Sequence, residues 1–363
     1  MNPLLQKDMS LSSGFSGPAL SCIITTYAEG NLATVAIDSI LAQSFEDFEL
    51  LIVDDGADEY TRHVLHQYDD PRIIYIRQAN DGLSSARNRA LGVARGEYIC
   101  FLDADDSRPV WAFATMMEAA RSADADVVFT SGLLSELRNE VHPFYDHDIL
   151  CKLNVMTQGV AQAGTPDFLR MLPYLAALEP QSANKLVKRS FLERHKLRFP
   201  AGLFFEDLVF HMGLILNLGK VATVSIPCFT YFRRYGRPQI TNGRGITRFD
   251  AIGSAANALG LLQHSVYFHD QTLRLAAVGS VFKLLQWCEE SVAHNLKWPY
   301  REALLAMVAN LDPRLRHIEF GSHYSTATGI ADWMPKAIDY FLTLMRRPDP
   351  SLRHVELAAG FDF

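Results

Sequence analysis

The chain has 363 residues, 48% hydrophobic and 21% charged, the balance of an ordinary folded protein with room for a large core. A formal net charge of −7 argues against general nucleic-acid binding. Five scattered cysteines without a Cys-x-x-Cys pair argue against a disulfide framework or a zinc site and suit a reducing compartment. Residues 1–18 open with a Ser- and Gly-rich stretch that lacks the apolar core of a signal peptide, so a mobile tail is expected there. No apolar run is long enough to span a bilayer. The expected location is cytoplasmic, with peripheral contact at the inner face of the membrane left open.

In chain order, 20–25 reads as a first strand, and Asn31 can cap a helix to about Gln43 striped by Val35, Ile37, Ile40 and Leu41. A strand over 48–53 ends in Asp54-Asp55-Gly56. A helix over 59–68 and a strand over 72–76 follow, and 80–83 is a turn. Ser84 can cap a helix over 86–94 that stops at Gly96. Residues 98–102 are apolar or aromatic, as befits a strand buried on both faces of a parallel sheet. Asp103, Asp105 and Asp106 then arrive where that strand must leave the core. Parallel sheets bind ligands outside the carboxyl ends of their strands, so these acids should stand at the mouth of a crevice. Hard oxygen ligands there suit Mg²⁺ or Mn²⁺ completing its shell with phosphate oxygens. The plainer reading has Asp106, with Ser107 and Pro109, capping the next helix. A strand over 125–130 completes an alternation of strand and helix that predicts a doubly wound α/β sheet. Between 133 and 181 only a helix over 165–177 stands out. The segment 184–187, a helix striped by Leu208, Met212, Ile215 and Leu216, and a strand over 221–226 restore the pattern.

Five stretches agree in order: Thr25-Thr26-Tyr27, Asp54-Asp55-Gly56, Gly82-Leu83-Ser84-Ser85-Ala86-Arg87-Asn88, Gly96-Glu97-Tyr98-Ile99 and Leu102-Asp103-Ala104-Asp105-Asp106. This resembles the family 2 glycosyltransferases of GT-A fold, over roughly residues 20–241. The resemblance implies a Rossmann-like nucleotide-sugar-binding domain with a mostly parallel sheet at 19–244, divided into a donor half (19–131) and an acceptor half (132–244). It also implies a nucleotide-sugar donor, expected to be UDP-linked, with Mn²⁺ or Mg²⁺ and inversion at the anomeric carbon. Thr25 and Tyr27 then match positions that frame the nucleoside, with Glu29 beside them. Asp55 matches the acid that accepts from the uracil N–H, and Asp54 is its neighbour. Arg87 would pair with the base or diphosphate near a helix N-terminus. Asp103 and Ala104 would lie near the ribose and metal, Asp105 would ligate the metal directly, and Asp106 would assist or only cap.

Phe205 to Phe210 resembles the Glu-Asp motif that such transferases place beside the acceptor. Asp207 matches the base, and Glu206 would orient it or bind the acceptor. Acids in a first helical turn also stabilise the helix dipole. Lys185-Leu186 and Phe199-Pro200 fit the same pattern. Residues 231–241 resemble a segment that closes over the diphosphate, with Arg233 or Arg234 as the contact. Gln239 stands where some relatives carry His or Ser, which puts a histidine metal ligand in doubt. His211 is the nearest alternative, although a lone helical His is more often structural.

From 245 to 363 the texture changes to amphipathic helices over 248–262, 272–293, 298–311 and 332–347. In the last of these, Ile338, Phe341, Leu342 and Met345 lie beside Lys336, Arg346 and Arg347. That stripe suits a membrane surface, but packing against the catalytic region or a second subunit is the favoured reading. The expected function is metal-dependent, inverting transfer of a sugar to a hydroxyl of a glycan or glycolipid acceptor in cell-surface polysaccharide synthesis. A non-catalytic sugar-nucleotide or glycan-binding subunit is one rival, weakened by the intact acid set. A sugar nucleotidyltransferase is the other, weakened because Thr25-Thr26-Tyr27-Ala28-Glu29 occupies the place of a Gly-rich basic loop.

Overall fold

The computed structural model describes residues 17–136, 140–233 and 243–346. Most of the expected N-terminal tail, together with Arg234, Gln239 and Arg347, lies outside the described residues. In order the chain forms β1 (Leu20–Thr26), α1 (Leu32–Leu41), β2 (Phe48–Asp55), α2 (Glu59–Leu65), β3 (Ile73–Gln78), α3 (Leu83–Val93), β4 (Tyr98–Asp103) and α4 (Ala112–Ala123). Then come β5 (Val127–Ser135), β6 (Val141–Pro143), α5 (His147–Thr157), β7 (Val160–Gln162), α6 (Pro166–Ala176), β8 (Lys185–Lys188), α7 (Arg189–Arg194), α8 (Glu206–Asn217) and β9 (Lys220–Phe232). Helices α9 (Asp250–Gln263), α10 (Gln271–Ser291), α11 (Lys297–Ala309), α12 (Pro313–Arg316), α13 (Ser322–Thr328) and α14 (Met334–Met345) follow.

The sheet runs β3-β2-β1-β4-β8-β5-β9-β7, with β6 paired to β5. Strands β1 to β4, β5 and β9 point one way, and β6, β7 and β8 oppose them. The sheet is thus mostly parallel but not wholly so, because the short β8 enters antiparallel between β4 and β5. Alternation along each strand sends side chains to opposite faces. Leu20, Cys22, Ile24, Leu50, Ile52, Cys100 and Leu102 pack with α1 and α4 on one face. Ile23, Leu51, Val53, Ile99, Phe101 and Phe129 pack with α3, α5, α6 and α8 on the other. The second core is continuous with Ala255, Leu259, Val278, Phe282, Ile338 and Phe341 of the C-terminal helices. The α14 stripe considered for a membrane surface is therefore turned inward, with Ile338 and Phe341 buried. No helix among the described residues is long and apolar enough to cross a membrane.

Two expected helix caps are not made. Asn31 precedes α1 without a side-chain cap, and Ser84 lies inside α3, its buried hydroxyl unpartnered among the described residues. Helix α3 starts earlier because Gly82 adopts φ 86° while Asp55 accepts from the N–H groups of Asp81 (2.9 Å) and Gly82 (3.0 Å).

Gly96 fixes how β4 enters the sheet. Its N–H donates to Ser21 Oγ (2.7 Å), and a Cβ there would stand 2.3 Å from Ser21 N and 2.7 Å from the Leu20 carbonyl carbon. Those atoms are backbone of a buried strand and cannot swing aside. Gly96→Ala should therefore destabilise the protein by about 1–3 kcal/mol, read as a lower urea midpoint; an unchanged midpoint would contradict this packing.

Candidate active site

The carboxyl ends of three strands lie side by side. Thr25 of β1 is in register with Val53 of β2 and with Asp103 of β4, and Thr26 is in register with Asp54. Strand β2 extends through Asp54 and Asp55, two residues beyond the sequence expectation. Here the side chains settle their own loops. Asp54 Oδ1 accepts from the Ala57 N–H (2.6 Å), and Asp55 Oδ1 accepts from Gln78 Nε2 (2.8 Å) in addition to its bond with the turn before α3. The loop that Asp55 holds contributes Gln78, Asn80 and Asp81 to a cleft of about 580 Å³, which Ser85 and Arg89 complete. From the sequence, Asn80 and Asp81 entered only as a turn and Ser85 only within the 82–88 motif, while Gln78 and Arg89 were not singled out. Tyr27 lies just past β1 and is exposed, and its N–H donates to Glu29 Oε2 (2.6 Å).

Arg87, expected at the base or diphosphate, is held by three carboxylates of the chain. Nη1 donates to Glu206 Oε1 (3.0 Å) and Asp207 Oδ1 (2.8 Å), and Nη2 donates to Asp103 Oδ1 (3.0 Å). Its side chain is only 3% exposed. One buried cation thus joins the acid at the end of β4 to the acid pair at the start of α8. Burial works against the Arg87 charge, but Asp207, Asp103 and Glu206 outweigh it and raise its pKa above the ordinary value. The next residue, Asn88, clamps Phe199 by donating to its carbonyl (2.7 Å) and accepting its N–H (3.0 Å). The Phe199 ring lies 5.0 Å from the guanidinium and stacks on Phe210 of α8 at 4.0 Å. Arg87-Asn88 and Phe199-Pro200 are therefore parts of one device.

Helix α8 begins abruptly. Phe205 sits at φ 63°, a region that bulky residues avoid unless their surroundings hold them there. The hold comes from the C-terminal helices. The Phe204 N–H donates to Asp250 (3.2 Å), Ser254 of α9 donates to the Phe204 carbonyl (3.0 Å), and the Phe205 ring meets Trp287 of α10 edge-on at 6.2 Å. Glu206 and Asp207 consequently open the first turn of α8. Burial, followed by the negative charge of Asp207, pushes Glu206 up to about 7. Burial also raises Asp207, with Arg87 opposing.

Lys185 is fully buried near this pair and donates to Asn184 Oδ1 (2.6 Å), the Pro180 carbonyl (3.1 Å) and the Gln181 carbonyl. Burial brings its pKa down to about 7, against the pull of Asp207 and Asp146. Asp146, itself raised to about 7 by burial, accepts from Asn184 Nδ2 (2.9 Å) and the Glu179 N–H (2.7 Å). The Asn184-Lys185 pair in the sequence was the available signal for this buried network.

Asp106 does not cap α4, which starts at Ala112 after Trp111. It is fully buried and accepts the Phe232 N–H (3.0 Å). Ser107 and Thr230 exchange backbone hydrogen bonds (3.2 and 2.8 Å), so the turn carrying Asp105 is tied to the end of β9. Tyr231 and Phe232 are the last residues of that strand, not part of a separate segment. Arg233 follows, donating to Glu136 Oε1 (2.7 Å) and the Tyr145 hydroxyl (2.6 Å). His211 is enclosed between α6 and β5: its Nε2 pairs with the Leu175 carbonyl at 2.9 Å and its ring meets Phe129 edge-on. Burial lowers its pKa well below the usual value. It is a core residue and does not reach the Asp105 turn.

Among the described residues no three His, Cys, Asp or Glu side chains converge on a metal position. Asp103 is 43% exposed on its side chain and Asp105 is half-buried. Two hard carboxylates on one turn fit a Mg²⁺ or Mn²⁺ ion that keeps waters and is held largely by substrate phosphates, not a protein-only cage.

A model described as glycosyl transferase family 2 matches residues 21–141. Glycosyltransferase GlyG of Streptococcus pneumoniae is 30% identical over 223 residues, 60% of this chain and 71% of that protein. The chain belongs to glycosyl transferase family 2. A Campylobacter jejuni relative named GalNAc(5)-diNAcBac-PP-undecaprenol beta-1,3-glucosyltransferase is 37% identical over 114 residues, 30% of this chain and 37% of that one. The match spans about 61% of the length of several other curated relatives. Residues 1–349 of S. aureus TarS, solved with UDP-GlcNAc, superpose with a TM-score of 0.65 at 17% identity over 90% of both chains. That likeness places this family 2 chain in the GT-A fold.

The raised acid pair predicts where activity falls with pH. A carboxylate of this pair acting as a base would work in its ionised form, so its raised pKa moves the loss of activity on acidification above the ordinary carboxylate range. Glu206→Gln removes the neighbouring negative charge and should move the acidic limb of kcat/KM to lower pH. A limb that stays in place, or rises, would show that Glu206 does not set the base.

Proposed function

We propose that this protein transfers one sugar from a nucleotide donor to a hydroxyl of a glycan or glycolipid acceptor, inverting the anomeric carbon. The observation that carries the reading is the Arg87 bridge, which brings the Asp103 end of β4 and the Glu206-Asp207 pair to one place. Donor chemistry and acceptor chemistry need that adjacency. The glycolipid-linked acceptor named for the Campylobacter relative supports the acceptor class.

In this reading the acceptor oxygen attacks the anomeric carbon from the side opposite the nucleoside diphosphate. Its new C–O bond forms as the bond to phosphate breaks, and its proton passes to Asp207 Oδ. A positioned carboxylate in this role is worth about 10²–10⁴-fold. Arg87 holds Asp207 ionised and aimed, while Glu206 fixes it from the side or takes an acceptor hydroxyl. Thr25, Tyr27, Glu29, Asp54, Asp55 and Ala104 form the nucleotide side, with Arg233 at the diphosphate. Asp105, with Asp103, would hold Mg²⁺ or Mn²⁺, whose charge would stabilise the departing diphosphate.

The test is nucleoside-diphosphate release from a panel of sugar nucleotides, starting with UDP sugars because TarS, of the same fold, was solved with UDP-GlcNAc. Wild type should hydrolyse one donor slowly and in a metal-dependent way. Asp105→Asn should lose metal-dependent donor binding; retention would remove the metal assignment. Asp207→Asn should bind donor normally but lose about 10²-fold or more of acceptor transfer; near-normal turnover would show the base lies elsewhere.

A further inference from the structure

A second cleft, of about 170 Å³, opens between α10 and α14 and is lined by Trp287, Trp333, Lys283, Gln286, Glu290 and Lys336. We propose that this cleft is an acceptor subsite that holds one pyranose ring of the glycan, stacked on Trp287. The assignment rests on the transferase reading above and adds the place where the acceptor is gripped.

Three observations carry it. First, the lining is amphipathic in the way a sugar is. A pyranose presents an apolar C–H face to an aromatic ring and a belt of hydroxyls to polar groups, and pockets for small ligands combine aromatic walls with a few polar anchors. Trp287 is 38% exposed although its ring is held by Arg248 at 3.9 Å and by Phe205. A fixed, partly bare tryptophan is a platform, and Gln286, Glu290 and the two lysines supply donors and acceptors around it. Second, the wall of the cleft is in contact with the start of α8. Trp287 touches Phe205, which directly precedes Glu206 and Asp207. Third, the nucleotide side is elsewhere. Asp103 meets the acid pair through Arg87, whereas the cleft wall meets the residue in front of that pair through Trp287 and Phe205. A volume of this size suits one ring, well below the ~300 Å³ at which clefts for larger ligands begin.

The test is a tryptophan-fluorescence titration of the full chain with methyl glycosides of glucose, galactose and N-acetylglucosamine, and with lactose and cellobiose, each with and without saturating UDP. At least one glycoside should give a saturable change that UDP does not displace. Trp287→Ala should weaken it about tenfold or more. Glu290→Ala, on the exposed rim of α10, should weaken it as well without touching the packing behind Trp287. Trp298→Phe, a highly exposed tryptophan outside the cleft, should leave it unchanged. The proposal is overturned if no glycoside gives a saturable change, if the change survives both cleft variants, or if UDP itself produces the Trp287-dependent signal. Nucleoside-diphosphate release on the same preparations separates the two readings. Release without glycoside binding overturns the subsite alone, while Trp287-dependent glycoside binding without release from any donor keeps a glycan site and overturns the transferase.

Discussion

One guanidinium bearing on three carboxylates is the constraint around which this active site is built. Asp103, Glu206 and Asp207 come from strand and helix ends more than a hundred residues apart, and without a cation between them they would repel one another in a place with little water. Arg87 meets all three because its fork is planar and always charged, which a lysine could not reproduce. Breaking a buried ion pair typically costs about 3–5 kcal/mol because the remaining charges stay behind. The contacts that hold the sheet end against α8 also favour the ionised form of Asp207 against the effect of burial.

Around that bridge the two sides are held by different means. At the strand ends the hold is backbone register, with Thr25, Asp54 and Asp103 aligned by parallel pairing that Gly96 permits through its close approach to Ser21. Asp106 and the Ser107–Thr230 ladder then fasten the acid turn to the end of β9, so Asp105 and Arg233 are fixed by one short stretch of hydrogen bonds. At the start of α8 the hold is tertiary, through Asp250, Ser254 and Trp287 on the segment before the helix.

Legibility followed the range of the interactions. The alternation of strands and helices, the buried β4 and the start of the acid turn are local patterns, and they could be read directly from the sequence. Ser84 and Asp106 misled because each has the chemistry of a cap. Asp55 starts α3 earlier than Ser84 would, and Asp106 is claimed by Phe232, 126 residues away. Arg87 was recognisable as important, but its partners were not, since nothing local says that a helical arginine will meet Glu206 at a separation of 119 residues. The cleft beside Asp55 went unread for the same reason: Asn80, Asp81, Ser85 and Arg89 look like an ordinary turn and helix start until the fold sets them around a space. His211 was weighed for a metal, but burial against Leu175 and Phe129 gives it a different task.

The left-handed turn at Phe205 has a consequence for how the protein is made. Helices α9 and α10 follow all nine strands in the chain, so Asp250, Ser254 and Trp287 leave the ribosome after the strand ends and after Phe205. Phe205 is held in its strained conformation by those later helices, and Glu206 and Asp207 take their places only when it is. A nascent chain therefore carries Glu206 and Asp207 before the residues that hold the turn in front of them.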